Sequence, residues 1–283
     1  MNYAELLRES SGKGKSIVCM GADPVLEKIQ AVKKGSIEES ISGFYSEIID
    51  ACVSEGTLPA AIKPNYAFYA QHGFEGLRAL KTVCEKTKSA GIPLILDGKR
   101  GDIGKTSAAY AKELFDFWGA DCATIAPYMG SDSVGPFIKY CEEKGKGVYI
   151  LDRTSNAGAV DLQNLMVEGK PLFLKTAEKI VEWGAKANGG VGAVVGATST
   201  AELQQLAEFF AAKKVPLLIP GVGSQGGSAE EVVKILKDSG SELALQRINS
   251  SSEINYAFEK AGTTDFAGAA VKAIKELNRQ IGF

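Results

Sequence analysis

The sequence predicts a single (β/α)8 barrel, in which a closed ring of eight parallel strands is surrounded by helices. Eight short apolar runs alternate with amphipathic segments of helical periodicity, and most of the runs end in a polar or glycine-rich loop. The length of 283 residues suits one α/β barrel, and no linker rich in proline or serine divides the chain. We therefore expect residues 1–283 to form one domain, with the active site at the carboxyl ends of the strands.

The apolar runs are the predicted strands. In chain order they are SIVCMGAD (16–23), AAIKP (60–64), PLILDGK (93–99), CATIAPY (122–128), GVYILDR (147–153), AVVGA (193–197), PLLIPGV (216–222) and LALQRIN (243–249). The segments between them, such as 74–91 and 228–240, repeat apolar residues at a spacing of three and four and end at glycine. These segments are predicted to be helices with one buried face.

Composition and charge argue against several classes of protein. The net charge of -2 and the pI near 5.7 provide no basic field for a nucleic acid polymer. No stretch approaches the roughly 20 apolar residues of a membrane span. The single histidine, His72, leaves a Ser-His-Asp triad or a multi-histidine metal site without its usual components. Scattered cysteines and an N-terminus without a signal peptide predict a cytoplasmic protein.

The densest polar cluster, LDGKRGDIGKT, follows the third predicted strand. Strand residues two apart share a face, so Asp97 and Lys99 are expected to point together into the mouth of the barrel, with Asp102 in the following loop. Lys63 ends the second strand and is expected to enter the same mouth. The alternative is a set of loop charges in water, but several charges at strand ends favour a functional site.

Three further loops carry candidate binding groups. PGVGSQGGS (220–228) follows the seventh strand and precedes a helix, where backbone N–H groups can face an anion, although glycine is also the common turn residue. RTSNAGA (153–159) offers Ser155 and Asn156 as neutral hydrogen-bonding groups for a base or an amide. Asp23 in GADP can accept hydrogen bonds from ribose hydroxyls or can cap a helix.

Together, the motifs GADP, AIKP, LDGKRGDIG, RTSN and PGVGSQGG resemble orotidine 5′-monophosphate decarboxylases. They occur in this order at the ends of the first, second, third, fifth and seventh predicted strands, so the resemblance spans nearly the whole chain. The resemblance implies removal of carbon dioxide from orotidine 5′-monophosphate to give uridine 5′-monophosphate in pyrimidine biosynthesis. It also implies a homodimer and a reaction without a metal ion or an organic cofactor.

The resemblance implies chemical roles for three residues at the barrel mouth. Lys99 would donate a proton to C6 of the pyrimidine, Asp97 would lie beside the departing carboxylate, and Lys63 would orient Asp97 and touch the ribose. These roles fit the chemistry, because loss of carbon dioxide leaves negative charge on a ring carbon and an ammonium group at that point stabilises the charge.

The resemblance also assigns substrate contacts. Asp102, the fourth catalytic residue, would reach the active site of the neighbouring subunit together with Ile103 and Thr106. The other contacts expected are Asp23 to the ribose, Ser155 to the pyrimidine edge, Pro220 to the base pocket, and Gln225 between the base or ribose and the phosphate.

One position departs from the family pattern. The eighth strand of this branch usually ends in a segment like NSSR, whose arginine binds the phosphate, whereas this chain reads NSSSEINYA with Ser252 in that place. Arg247 lies five residues upstream, roughly 16 Å along a strand and on the opposite face, so we do not expect it to reach the phosphate. Backbone N–H groups around Gly223 and Gly226, together with Gln225, are expected to bind the phosphate instead.

Two other functions remain as alternatives. A magnesium-dependent phosphosugar decarboxylase or aldolase of the same superfamily shares the D-x-K-x-x-D strand, but the RTSN and PGVGSQGG loops favour a substrate with a base. Ser252 alone suggests an inactivated relative that only binds nucleotides. The intact set of Lys63, Asp97, Lys99 and Asp102 argues against this, because a binding module has no need of such an array of charges.

Overall fold

The computed structural model describes residues 1–223 and 226–282. Eight parallel strands form one sheet: β1 Val18–Ala22, β2 Ala61–Pro64, β3 Ile95–Arg100, β4 Cys122–Ile125, β5 Gly147–Arg153, β6 Val191–Val195, β7 Leu217–Ile219 and β8 Arg247–Ser250. Their order in the sheet is β2-β1-β8-β7-β6-β5-β4-β3. Two single-residue parallel bridges, Ile62 with Leu94 and Asn65 with Asp97, join β2 to β3 and close the ring. The predicted barrel is therefore confirmed.

Helices surround the strands and pack a continuous apolar layer against them. They are α1 Tyr3–Gly14, α2 Leu26–Val32, α3 Ile37–Ser54, α4 Tyr66–Ala70, α5 Gly73–Ser89, α6 Gly104–Lys112, α7 Ser131–Lys144, α8 Leu172–Trp183, α9 Thr200–Ala211, α10 Ala229–Asp238, α11 Ser252–Asn255, α12 Ala257–Ala261 and α13 Phe266–Ile281. A small antiparallel hairpin, Met166–Val167 with Lys170–Pro171, precedes α8. All five cysteines are buried as free thiols. Within the described ranges, every helix is too short or too polar to span a lipid bilayer.

The eighth strand begins later than the sequence predicts. Leu243–Leu245 forms a short 3-10 turn, and the strand covers Arg247–Ser250. The predicted run 243–249 is apolar for a different reason: Leu245 is fully buried among side chains at the amino end of the barrel. Burial of one leucine in a turn produces the same local pattern as a short strand.

Helix α1 closes the amino end of the barrel. It begins at a capping box, in which the Asn2 side chain accepts from the Glu5 backbone N–H at 2.9 Å and the Glu5 carboxylate accepts from the Asn2 N–H. Arg247 is fully buried beneath this helix, and its guanidinium group donates to the Leu7 carbonyl and to the Ser10 hydroxyl, both at 2.7 Å. Arg247 therefore lies at the opposite end of β8 from the expected active site.

Candidate active site

A cavity of about 490 Å³ opens at the carboxyl ends of the strands. Every strand, or the loop that directly follows it, contributes to the lining, as a parallel barrel requires when the strands end at one rim. Representative lining residues, from β1 to β8 in order, are Asp23, Lys63, Asp97, Thr124, Ser155, Val194, Pro220 and Asn249.

Asp97 is the centre of the charged groups in this cavity. Its Oδ2 accepts from Lys63 Nζ at 2.8 Å, and its Oδ1 accepts from Lys99 Nζ at 2.7 Å and from the Thr124 hydroxyl at 2.7 Å. The Asp97 and Lys63 side chains are 7% and 5% exposed, whereas the Lys99 side chain is 50% exposed. Lys99 is therefore the cation of this group that is most open to a ligand in the cavity.

Charge pairing keeps the buried groups ionised. Burial alone would raise the pKa of Asp97, but the ammonium groups of Lys63 and Lys99 lower this pKa well below its usual range. Burial would likewise lower the pKa of Lys63, and the carboxylates of Asp97 and Asp23 raise it instead. The cavity thus contains a fixed carboxylate between two cations, which is a preorganised electrostatic environment.

Two side chains in the cavity present buried acceptors without a partner among the described residues. These acceptors are Oδ1 of Asp23, after β1, and Oδ1 of Asn249, on β8. Burying an acceptor without a hydrogen bond is unfavourable, so both atoms are suited to a ligand that donates hydrogen bonds, such as the hydroxyl groups of a sugar.

The RTSN loop is held from several sides. The Arg153 guanidinium pairs with Glu202 at 2.7 Å, and the Thr198 hydroxyl donates to the Ser155 carbonyl at 3.1 Å. Gly196, directly after β6, lies so close that a Cβ there would be 2.7 Å from Ser155 Cα. This close packing fixes the Ser155 backbone at the edge of the cavity, where Pro220 lines the wall from β7.

Two glycines of the glycine-rich loop donate their backbone N–H groups within the loop. The Gly223 N–H donates to the Gly227 carbonyl at 3.0 Å, and the Gly226 N–H donates to the Gly223 carbonyl at 2.9 Å. Gly223 lines a second cavity of about 440 Å³ and not the first one. In this conformation both N–H groups are therefore already paired. Gln225, the other residue expected here, lies outside the described residues.

The residues expected to act across a dimer do not line the first cavity. Asp102 is half-buried, and its Oδ1 accepts from the backbone N–H of Ile103 at 2.8 Å. Ile103 and Thr106 are exposed. Ser252 is also exposed, at the start of α11, whereas its neighbour Ser251 lines the cavity.

The sequence interpretation did not identify several residues that line the cavity, among them Asn65, Thr124, Asn249 and Ser251. Asn65 and Asn249 had a detectable signal, because each is a polar residue at the end of a predicted strand. Thr124 had no such signal in the sequence, because threonine is common in strands. Its role depends on contacts with β3 that only the folded structure shows. In the part of the chain that the structure describes, no cluster of three or more His, Cys, Asp or Glu side chains is arranged to hold a metal ion.

Comparisons with known proteins show which family the chain belongs to. Residues 16–257 match the "Orotidine 5'-phosphate decarboxylase / HUMPS family". A relative from Verminephrobacter eiseniae, named orotidine 5'-phosphate decarboxylase, is 38% identical over 95% of this chain and 94% of its own. One of the same name from Herpetosiphon aurantiacus is 41% identical with the same coverages. The solved structure of Leishmania donovani OMP decarboxylase is 31% identical, with a TM-score of 0.77 and full coverage of both chains. These matches confirm the resemblance that the strand-end motifs predict.

Proposed function

Because the chain belongs to the orotidine 5′-phosphate decarboxylase / HUMPS family, we propose that it converts orotidine 5′-monophosphate into uridine 5′-monophosphate and carbon dioxide. The observation that carries this proposal is the group of charges in the cavity, in which the Asp97 carboxylate lies 2.8 Å from Lys63 Nζ and 2.7 Å from Lys99 Nζ. The proposed enzyme is a carboxy-lyase of pyrimidine biosynthesis, a single domain over residues 1–283 that acts in the cytoplasm.

The proposed reaction needs one proton and no oxidant. The bond between C6 and the carboxylate carbon breaks, its electron pair remains at C6, and the Lys99 ammonium group donates the proton that forms the new C6–H bond. Lys99 then recovers a proton from water, to which its half-exposed side chain has access. The ammonium group stabilises the developing carbanion before it transfers the proton, so one residue supplies both electrostatic and acid catalysis.

The two buried partners of Lys99 have supporting roles in this proposal. Asp97 lies beside the departing carboxylate, and Lys63 holds Asp97 in place while contacting the ribose. Asp23 contributes its unpaired Oδ1 to a ribose hydroxyl. Ser155 forms hydrogen bonds with the edge of the pyrimidine, and Pro220 lines the pocket for the base.

The proposed assembly is a homodimer that completes each active site. Asp102, with Ile103 and Thr106, lies outside its own cavity, which supports a role for these residues in the site of a second copy. Exposed apolar side chains on the adjacent loop after β4 support an interface here, since Tyr128 is 88% and Met129 is 49% exposed. Ile103 is itself 53% exposed, and patches of exposed apolar side chains often mark protein–protein interfaces.

A metal-free assay tests the proposed function. The purified protein, treated with EDTA, is expected to convert orotidine 5′-monophosphate into uridine 5′-monophosphate at the same rate as the untreated protein. A magnesium-dependent phosphosugar decarboxylase would lose its activity in EDTA and would leave the nucleotide unchanged. A protein that only binds nucleotides would bind the substrate, as measured by calorimetry, and release no uridine 5′-monophosphate.

The phosphate subsite leads to a further prediction at Ser252. Of the described residues that line the catalytic cavity, the only cations are Lys63 and Lys99, and Asp97 binds both. An arginine at position 252 is expected to make two charge-assisted hydrogen bonds to the phosphate, each contributing about 1.5–3 kcal/mol. The net gain is smaller than their sum, because serine already offers one weaker neutral donor and the long arginine side chain must be ordered. Ser252→Arg should therefore lower the KM for orotidine 5′-monophosphate by about one to three orders of magnitude.

Two controls separate phosphate binding from other effects of this substitution. Ser252→Gln adds length and hydrogen-bonding groups without charge, and it should change the KM by less than about threefold. The gain with arginine should disappear for orotidine, which lacks the phosphate. An unchanged kcat/KM in Ser252→Arg would mean that another group already binds the phosphate, with Gln225 and the backbone near Gly223 and Gly226 as the expected donors.

A further inference from the structure

Thr124 connects the two residues at the centre of the proposed chemistry. It lies on β4, is 1% exposed, and lines the catalytic cavity. Its hydroxyl oxygen is 2.7 Å from Oδ1 of Asp97 and 3.0 Å from the backbone nitrogen of Lys99. One side chain on β4 therefore contacts both a side chain and a backbone group of the neighbouring strand β3.

The direction of both hydrogen bonds follows from the donors that are present. A threonine hydroxyl has one hydrogen to donate and two lone pairs that accept. Since Asp97 is held ionised, its carboxylate can only accept, and the Thr124 hydrogen must point to Asp97. The backbone N–H of Lys99 then donates to a lone pair of the same oxygen.

The Lys99 backbone depends on this contact. Lys99 has a φ of +43°, in the left-handed region that L-residues other than glycine rarely adopt and that costs roughly 1–2 kcal/mol. The register between β3 and β4 shifts between Leu96 and Arg100, so the regular ladder is interrupted at this point. The Thr124 hydroxyl accepts the Lys99 N–H in place of a ladder carbonyl. It thereby stabilises the left-handed backbone at Lys99, whose ammonium group binds Asp97.

We propose that Thr124 is a positioning residue for the proton transfer, an inference that rests on the proposed decarboxylation. Its hydroxyl fixes the Lys99 backbone and the Asp97 carboxylate relative to each other, so that the ammonium group is held where C6 becomes basic. Small displacements of a reacting group have large effects, and a misplacement of about 1 Å can lower a rate by about 100-fold. The role requires the hydroxyl of Thr124, whereas packing requires its methyl group.

Two substitutions separate these contributions. Thr124→Val keeps the shape and the methyl group but removes the hydroxyl, and it is expected to lower kcat about 10- to 100-fold. Thr124→Ser keeps the hydroxyl but removes the methyl group, and its kcat is expected to remain within about threefold of the unsubstituted protein. The Kd for the product, uridine 5′-monophosphate, should change by less than about threefold in both variants, because Asp23, Ser155 and Pro220 are unaffected.

A purely structural role of Thr124 predicts the opposite ranking of the two kcat values. Loss of the buried methyl group would then make Thr124→Ser the slower variant. The proposal is overturned if Thr124→Val keeps its kcat or if Thr124→Ser is equally slow. If Thr124→Val does not fold, Thr124→Cys replaces it in the test, because a thiol is only a weak donor and acceptor. A kcat of Thr124→Cys equal to that of Thr124→Ser would then overturn the proposal. An unsubstituted protein that fails to decarboxylate the nucleotide would instead refute the proposed function, and this inference with it.

Discussion

Lys99→Ala is expected to lower kcat for orotidine 5′-monophosphate by at least about four orders of magnitude. The substitution removes the proposed acid, which contributes about 10²–10⁴-fold, and the cation at the developing carbanion, which contributes about 10²–10³-fold more. The fold should persist, because the Lys99 side chain is 50% exposed and Asp97 keeps its ion pair with Lys63 at 2.8 Å. Steady-state turnover and thermal unfolding of the same preparation measure the two effects.

A matched variant shows whether the loss is specific. Lys234 is an exposed lysine on α10, and Lys234→Ala should keep its kcat within about twofold of the unsubstituted protein, because surface substitutions away from special features have small effects. Turnover of the Lys99→Ala variant within about tenfold of the unsubstituted protein would refute the role of Lys99. A large loss of thermal stability in this variant would place Lys99 among the structural residues.

Mixing two inactive variants is expected to restore activity if Asp102 acts in the partner subunit. In a dimer of one Lys99→Ala subunit and one Asp102→Ala subunit, one site carries both changes and the other carries neither. Random exchange makes half of the dimers hybrid, so activity should rise to about one quarter of that of the unsubstituted protein. The position of Asp102 outside its own cavity is the structural reason for this expectation.

The control for this experiment mixes two changes that belong to one site. Lys63→Ala and Lys99→Ala both alter the cavity of their own subunit, so every site in their hybrid carries one change and activity should not return. Subunit exchange is verified by mass spectrometry of differently tagged subunits. Proven exchange without restoration in the Asp102 mixture would assign Asp102 to the site of its own subunit.

The sequence was sufficient for the barrel and for the location of its charged centre. Alternation of strands and helices predicts a parallel barrel, and in such a barrel residues at strand ends meet at one rim. Lys63 and Asp97 could therefore be assigned to one cavity without knowledge of side-chain positions. The start of β8 was predicted incorrectly, because the buried Leu245 makes a turn at the amino end of the barrel look like part of a strand.

The remaining features depend on contacts between segments that are distant in sequence. Regular alternation predicts that Asp97 and Lys99 share a face, but the structure brings them together through a left-handed residue and a shift of register. Nothing in the spacing along β3 indicates that Thr124 on β4 accepts the Lys99 N–H. The internal hydrogen bond of Gly223 with Gly227 is similarly a property of the folded loop, because glycine-rich sequence alone also suits an anion site.

Exchange of hydrogen at C6 of uridine 5′-monophosphate in D2O tests the central role of Lys99 most directly. If Lys99 protonates C6 in the forward reaction, the neutral amine of the same residue removes that proton in the reverse direction. The unsubstituted protein should therefore incorporate deuterium at C6 alone, as followed by proton NMR of the product, and Lys99→Ala should show no exchange above that of buffer. Equal exchange by both proteins would contradict the account, because another group would then carry the proton.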